Sequence, residues 1–587
     1  MTMSAQTHHE WARTPPMGWN SWDCFGPTVT EAEVKANADY MATHLRKSGW
    51  EYVVVDIRWY VENDKAHGYN ETDPVICMDT HGRLTPAINR FPSAARGAGF
   101  RPLAEYVHRL GLKFGIHIMR GVPKLAVERN TPVLGTRATA RDIHSASHPS
   151  VWLKDMYTVD AAKPGAQEYY NSLFTLYASW GVDLVKVDDI SSPYRKDEIE
   201  LIRRAIDRCG RPIVLSLSPG PAPLEEATHV STHANMWRVI GDFWDNWSQL
   251  EEHFSLFAHW IPSMGPGHWP DGDMLPLGRI GIRAEQGDPR ATKFTRDEQT
   301  TLMSLFLICR SPLMFGGNLP DNDPFTLDLI SNEEALAVLQ RSRNNRLLLD
   351  DGQRVVWVAD DEGTEDRYVA LFFADRRQID VQRALWSSPL LTHEAGKRSA
   401  STEVRIAGAR KLFLVVTDGG DSRDWDHADW IDPRVITGGD TLHLGRMPWR
   451  HATSGWSTVH VNQSVGGNTL TVDGTTYDEG IGTHATSVIE YDIPEGYETF
   501  ASLVGLDGEC TDHTEGSTAR FHLFTEHPAG GAPLDSIEVT LSAEQLGVKN
   551  GWVVRDLWGR RDLGDCRNGL TVRVPHHGAA LLKIGKP

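Results

Sequence analysis

The feature that most constrains this chain is a unit repeated along its first half: an amphipathic helix, a glycine, a short apolar strand and a polar residue. The first copy opens at Thr30 and Glu33, which have capping-box spacing. Val34, Ala38, Met41 and Leu45 recur on one helical face. Gly49 then supplies the left-handed residue on which many helices end, and Tyr52–Val55 runs as a strand into Asp56. Residues 103–110, Gly111 and 113–116 lead in the same way to His117. Ala166–Trp180, Gly181 and 182–187 lead to Asp188, and 198–208, Gly210 and 212–215 lead to Ser216. Further strands are expected to end near Arg238 and Asp273, and Leu313–Phe315 follows a helix over 295–309.

Strands alternating with helices from Thr30 to Phe315 imply a parallel sheet. The polar residue recurs at the carboxyl end of each strand, where barrels and open α/β sheets place their sites. No GxGxxG or GxxxxGK[ST] follows the first of these strands, which favours a (β/α)8 TIM barrel over a doubly wound sheet. Strand neighbours alternate faces, so Leu184, Lys186 and Asp188 share one face and Val185, Val187 and Asp189 the other. The valines suit the outer helices, which points Lys186 and Asp188 into the barrel mouth. A buried structural ion pair is the alternative reading of those two residues.

Composition narrows the partners. A net charge of −19 argues against a phosphate-backbone ligand, since such binding relies on clustered Lys and Arg. Twenty Trp residues are many for this length and favour a carbohydrate ligand, because indole rings stack on sugar C–H faces. The six Cys lack CxxC spacing, so neither a metal knuckle nor a disulfide framework is indicated. Met1 to Pro16 lacks the basic-then-apolar pattern of a signal peptide, and no stretch has the length of a membrane span. The expectation is a cytoplasmic enzyme with no cofactor, no metal, no nucleic acid and no membrane partner. His8 and His9 are expected in a frayed terminus.

Thr14-Pro-Pro-Met-Gly-Trp-Asn-Ser-Trp22 resembles the opening signature of glycoside hydrolase family 27, the α-galactosidase (melibiase) family. The same order of motifs continues down the chain. Val55-Asp56-Ile57-Arg58-Trp59 resembles the family's first-strand sugar-binding motif, and Lys186-Val187-Asp188 its lysine–x–nucleophile motif. Trp237-Arg238 with Asp242, Trp244 and Trp247 resembles the acid/base segment. Gly265-Pro266-Gly267-His268-Trp269 through Asp273-Met274, then Ser311-Pro312-Leu313, resemble the last barrel strands. The match spans about residues 12–340. It implies a retaining, exo-acting hydrolase of glycosides or oligosaccharides, α-galactosidase-like, working through a covalent glycosyl-aspartate. Asp188 would be the nucleophile and Asp242 the acid/base, with Lys186 keeping Asp188 anionic and the apolar-aromatic run from Ile240 to Trp247 raising the pKa of Asp242. Trp22 as a sugar platform, Asp56, Arg238 and Asp273 complete the carried-over binding residues. Asp189 faces away by strand parity, and Asp271 has an equally good reading as a turn residue.

Three positions depart from the family pattern. The second Asp after the first-strand one is Ile57, the Tyr of the second strand end is His117, and the residue expected against the C2 hydroxyl is Ser218. Losing a carboxylate at 57 removes an acceptor for a sugar hydroxyl, and a site built to bond a hydroxyl discriminates strongly for it. Terminal α-galactose therefore has two alternatives on the same scaffold: a β-L-arabinopyranoside, which is α-galactose without its C6 hydroxymethyl, and an α-N-acetylgalactosaminide. The rival from another class is a barrel that binds sugar without cleaving it. Intact Lys186, Asp188 and Asp242 argue against that rival.

The helical period stops near residue 340. A catalytic barrel is expected over 1–340 and an antiparallel β-sandwich over 341–378 and 532–587, whose closing stretch resembles the family's C-terminal domain. Within it lies an inserted β-sandwich, 379–531, where Trp456, the segment from Tyr477 to His484 and the segment from Leu412 to Asp421 resemble the NPCBM carbohydrate-binding module. The segment that usually closes that module comes first here, so its halves are read as circularly permuted.

Overall fold

Gly49, Gly111, Gly181 and Gly210, the four glycines that punctuate the repeats, all take positive φ, at 97°, 75°, 85° and 79°. A Cβ would oppose that conformation, so glycine is what lets each helix stop and the chain turn into the next strand. The computed structural model describes residues 7–586 apart from 151, 377, 422–424, 511–516, 531–533, 549–550 and 567–568. The first six residues of the polar N-terminal stretch therefore lie outside the described residues.

Eight parallel strands form the central sheet: β1 (Met17–Asn20), β2 (Tyr52–Val55), β3 (Lys113–Met119), β4 (Leu184–Asp188), β5 (Val214–Leu217), β6 (Met236–Arg238), β7 (Trp269–Asp271) and β8 (Leu313–Phe315). Their order is β7-β6-β5-β4-β3-β2-β1-β8. Leu275, just past β7, bridges in parallel to Phe315 of β8 and closes the ring. Between the strands run α1 (Glu31–His44), α2 (Arg101–Arg109), α3 (Ala166–Trp180), α4 (Lys196–Arg208), α5 (Ala227–His233), α6 (Trp247–Trp260) and α7 (Arg296–Ile308). The Thr30 hydroxyl accepts from the Glu33 N–H and the Glu33 carboxylate from the Thr30 N–H, the reciprocal cap that the spacing implied. Val53, Val55, Phe114, Ile116, Val185, Val187, Leu215 and Leu217 are wholly buried. They are the strand residues opposite in parity to the polar ones. That alternation divides the barrel into an apolar jacket under the helices and a polar mouth.

Some expectations shift. The strand ending at Asp56 is the second of the eight, because the four-residue Met17–Asn20 precedes it with no amphipathic α-helix to announce it. β3 continues to Met119, so His117 lies inside the strand, opposite Lys186 in register. Ser216 lies within β5 and Ser218 just beyond it. His8 and His9 are not frayed: they belong to a 3-10 helix, Thr7–Ala12, in which His8 is buried and its carbonyl accepts from Asn235 Nδ2 at 2.9 Å.

The chain divides into two compact units, residues 1–245, 253–373 and 538–587 in one and 246–252 and 374–537 in the other. In the first, Ser342–Asp350, Arg354–Asp361 and Arg367–Phe373 pair antiparallel, and the chain's last strands, Ala579–Gly585, Val553–Asp556 and Arg561–Asp565, complete the same sheet. Among the described residues the second unit contains two six-stranded antiparallel sheets and a small hairpin, Leu470–Val472 with Thr475–Tyr477. Lys411–Asp418 sits between Ser487–Asp492 and Thr518–Phe524 in one, and His427–Thr437 between Thr499–Leu506 and Gly480–His484 in the other. Leu414, Val416, Trp430, Ile489, Val504 and Phe521 are among the side chains that fill its core. Among the described residues no helix is long and apolar enough to cross a membrane. All six cysteines are free thiols.

Candidate active site

The carboxyl ends of β1, β2, β3, β4 and β6 bring polar side chains together at one end of the barrel. Asp188, the last residue of β4, keeps 13% of its side chain exposed. Its Oδ2 accepts from His117 Nε2 at 2.9 Å and its Oδ1 from the Asp189 N–H at 2.8 Å. Burial alone would push the Asp188 carboxyl up. The His117 hydrogen bond and charge, the Lys186 ammonium and the Asp189 N–H outweigh it and bring the pKa down to about 2. The hydrogen bond works with a neutral imidazole carrying its proton on Nε2, whereas the charge contribution requires an imidazolium.

Lys186 acts on Asp188 through its charge and bonds a different carboxylate directly. Its Nζ bonds Asp56 Oδ2 at 3.0 Å, so the direct hydrogen-bond partner of Asp188 is His117 and that of Lys186 is Asp56. Asp56 Oδ2 also accepts from Asn20 Nδ2 at 2.7 Å, and its Oδ1 accepts from the N–H of Ile57. Burial would raise its pKa, but Lys186, His117 and Asn20 lower it below the usual carboxylate range. Burial opposes the charge on Lys186, while Asp56, Asp188 and Asp273 hold it on the ring of groups and raise its pKa. Within this buried cluster Lys186 and Asn20 satisfy Asp56, and Nε2 of His117 satisfies Asp188, while Nδ1 of His117 has no hydrogen-bond partner among the described residues.

Arg238, at the end of β6, carries the second half of the site. Its NH2 lies 2.7 Å from Asp273 Oδ2 and 3.2 Å from Asp242 Oδ1. The Phe243 N–H bonds Asp273 Oδ2 at 2.9 Å, so Asp273, buried in a positive-φ conformation, anchors the loop that carries Asp242. The side chain of Asp242 is 65% exposed. Its position at the open mouth, beside a guanidinium, replaces the apolar setting expected from its aromatic neighbours in sequence. Trp22 is buried in a one-turn helix, Trp22–Phe25, and stacks on Tyr69 with ring centroids 5.9 Å apart. Tyr69 lies 6.1 Å from Trp152, extending the aromatic surface. Ser218 is buried, and its carbonyl accepts from the Ile190 N–H at 3.1 Å. Ile57 is 2% exposed and follows Asp56 directly.

Asp189 is held apart from this constellation. Its Oδ2 pairs with Arg120 NH2 at 2.8 Å, and Arg120 also pairs with Glu198. The Arg58 of the motif after β2 is likewise structural, with its guanidinium clamped by Asp155 at 2.6 and 2.7 Å. Sequence reasoning did not find Asn20, Tyr69 or Asp23. Asn20 lies within the Thr14–Trp22 motif and Asp23 directly follows it, so both were within reach; Tyr69 lies in a loop with no periodic signal. Asp23 is 1% exposed, and among the described residues neither of its carboxylate oxygens has a hydrogen-bond partner. Burial, then the charge of Asp273, push its pKa well above the usual range, with Lys186 opposing. Asp271, on β7, is raised by burial to about 7, and its Oδ1 accepts from the Asp273 N–H at 2.9 Å, so it acts as both strand and turn residue. Beneath Lys186 and Arg238 the barrel interior contains a cavity of about 20 Å³ bordered by Asn20, Ser216 and Met314, room for about one water.

Sequence models of known families match in the same order as these parts. The family described as Alpha galactosidase A matches residues 123–341, and the Alpha galactosidase C-terminal beta sandwich domain matches 526–584. The NPCBM/NEW2 domain matches in two parts, 355–436 and 440–529. A solved family 27 β-L-arabinopyranosidase from Geobacillus stearothermophilus, in complex with arabinose, is 38% identical, covers 100% of both chains and superposes with a TM-score of 0.70. Alpha-galactosidase A of Cellvibrio japonicus is 28% identical over 431 residues, 70% of this chain and 88% of that one. An alpha-N-acetylgalactosaminidase of Mus musculus is 27% identical over 350 residues, 56% of this chain and 68% of that one.

Proposed function

The chain belongs to glycoside hydrolase family 27, and from that premise we propose a retaining exo-glycosidase that removes a terminal β-L-arabinopyranosyl residue. The observation that carries the chemistry is Asp188, ionised under the hydrogen bond of His117 and facing the same barrel mouth as Asp242. Asp188 attacks the anomeric carbon while Asp242 gives its proton to the leaving oxygen, and the C–O bond to the aglycone breaks as the ester to Asp188 forms. Asp242, now a carboxylate, then takes a proton from a water that attacks the same carbon. The ester bond breaks and Asp188 leaves as a carboxylate, so the sugar keeps its anomeric configuration. Arg238 keeps Asp242 in place and Lys186 holds Asp56 for the sugar hydroxyls.

Ile57 supports the sugar. A buried isoleucine after Asp56 offers no acceptor where the family pattern has a carboxylate, and a pentopyranose lacking the C6 hydroxymethyl asks for none. Likeness over the full length to a β-L-arabinopyranosidase agrees with that. A second reading, terminal α-galactose, is favoured by the 28% identity to an alpha-galactosidase. An α-N-acetylgalactosaminide is a third, since Ser218 is short enough to leave room at C2. Residues 379–531 are on the same footing an inserted module with its halves exchanged, a reading that the two-part NPCBM match supports.

Initial rates on nitrophenyl β-L-arabinopyranoside, α-galactoside and α-N-acetylgalactosaminide, with NMR of the first-formed sugar, test the reading. Preference for the arabinopyranoside with retention is expected. Preference for the galactoside overturns the substrate, and inversion overturns the mechanism.

A further inference from the structure

On the outside of the barrel, α4 and α5 bring together three groups that the glycosidase reaction does not use: Glu200 on α4, and His229 and His233 on α5. The histidines are four residues apart, which puts their rings on one helical face one turn apart, and the rings stack with centroids 4.1 Å apart. Glu200 Oε1 approaches His229 Nε2 to 3.5 Å. One donor atom from each of the three lies within 4.8 Å of the other two.

The surrounding bonds present these atoms as ligands. His233 Nδ1 lies 2.8 Å from the backbone carbonyl oxygen of His229. A carbonyl only accepts, so Nδ1 carries the proton, and the neutral ring has its lone pair on Nε2. His229 Nδ1 lies 2.6 Å from the Tyr194 hydroxyl, which can accept its proton and leave Nε2 free to coordinate. His229 Nε2 is buried without a hydrogen-bond partner among the described residues. Arg204 NH1 holds Glu200 Oε2 at 3.1 Å, turning Oε1 toward the imidazoles, and the nearby Lys196 is itself paired with Glu226.

We propose that Glu200, His229 and His233 form a binding site for a first-row divalent cation, with Zn2+ the best fit. Two imidazole nitrogens and one carboxylate oxygen are a zinc-type donor set, whereas Mg2+ and Ca2+ ask for oxygen ligands throughout. Ligands about 2.0–2.2 Å from a tetrahedral ion stand roughly 3.4 Å from one another. The Glu200–His229 pair already has that spacing, and His233 closes it by rotating its side chain. Neither α4 nor α5 supplies a residue to the candidate active site, so the ion ties two helices together and stabilises the fold rather than taking part in turnover. His-x-x-x-His on one helix is common by itself, and Glu200 comes from another helix, which is why no metal was legible in the sequence.

The full chain, stripped with chelator, is loaded with ZnCl2 and passed over gel filtration, and its metal content and thermal midpoint are measured. One equivalent of zinc retained per chain and a raised midpoint are expected. Glu200→Gln and His233→Gln should each weaken binding at least about tenfold, with unchanged circular dichroism and with nitrophenyl glycoside turnover within twofold of the parent. Failure of the parent chain to retain zinc overturns the proposal, as does equal retention by both variants. So does loss of zinc in His443→Gln instead, which would assign it to the Asp432–His443–Glu479 cluster, where Arg434 and Arg446 already neutralise the carboxylates.

Discussion

His117→Phe keeps an aromatic ring, slightly larger than the imidazole, and removes the nitrogen that reaches Asp188. The Asp188 carboxyl sits at about 2 against an ordinary 3.8. At 1.36 kcal/mol per pH unit, that gap corresponds to about 2.4 kcal/mol in favour of the carboxylate. A hydrogen bond to a charged group contributes about 1.5–3 kcal/mol, which is the same size. Burial opposes the depression and remains in the variant, so without His117 the pKa returns to the ordinary value or above it. A depressed carboxyl stabilises the folded protein above pH 3.8, and that contribution is lost as pH falls toward 2. The acid limb of kcat/KM, which reports ionisation of the nucleophile in the free enzyme, should therefore move up by about two pH units in the variant. At pH 7 Asp188 is still ionised, so the plateau should fall less than the rate at pH 4. Initial rates between pH 3.5 and 8 on a nitrophenyl glycoside, with denaturant stability at pH 7 and pH 4, measure both effects. An acid limb that stays in place would refute the reasoning and pass control of the nucleophile to Lys186.

The other predictions follow from the same distances. Asp188→Ala should abolish turnover and leave the fold intact, whereas Asp189→Ala should keep the chemistry and lose about 1.5–3 kcal/mol of stability, since Arg120 loses its charged bond to Asp189 but keeps Glu198; the opposite pattern in paired rate and denaturation measurements would mean that the wrong carboxylate had been chosen. Asp242→Ala should spare good nitrophenolate leaving groups in the first step and recover through azide in the second; equal loss on good and poor leaving groups without azide rescue would make Asp242 structural. Ile57→Asp should raise the α-galactoside rate relative to the arabinopyranoside, and no change in their ratio would remove Ile57 from specificity. Asp23 is raised above its ordinary value chiefly by burial, so its contribution to stability is present below pH 3.8 and lost as pH rises through the folded value. Asp23→Asn should accordingly melt higher than the parent at pH 7, with the gap closing toward pH 4; a lower midpoint at both pH values would contradict this.

The fold was legible where its determinants are local. Capping at Thr30, left-handed glycines at 49, 111, 181 and 210, and alternation along 184–188 are written in neighbouring residues, and the structure follows them. Met17–Asn20 escaped because four residues carry too little periodicity and only a short 3-10 helix, not an amphipathic α-helix, leads into them. In the site, strand parity brought Lys186 and Asp188 to the right face, but it cannot say which partner each one meets. That depends on register between strands: β3 pairs His117 with Lys186 and Met119 with Asp188, a long-range fact with no trace in either segment alone. The exposure of Asp242 escaped for the same reason. Its aromatic neighbours in sequence, Phe243 and Trp247, are buried, while the carboxylate turns outward to Arg238.

The exchange of partners changes how the departures from the family pattern read. Ile57 removes a polar group, but His117 introduces one at the nucleophile. His117 Nε2 lies 2.9 Å from Asp188 and 3.9 Å from Asp56, so one ring faces both carboxylates, while Lys186 is bonded to Asp56. When Asp188 becomes an ester its negative charge disappears. An ammonium paired mainly with Asp188 would then be left buried and uncompensated, at a cost of several kcal/mol. With Lys186 bonded to Asp56, that ion pair stays balanced before and after the sugar is transferred. His117 has a hydrogen bond to adjust, and the carbonyl oxygen of the ester can still accept it. Dipoles and charges that keep their arrangement through the reaction need no reorganisation at the moment of bond exchange. By this argument the histidine is suited to a covalent glycosyl-aspartate cycle, because it serves the charged and the esterified states of Asp188 alike.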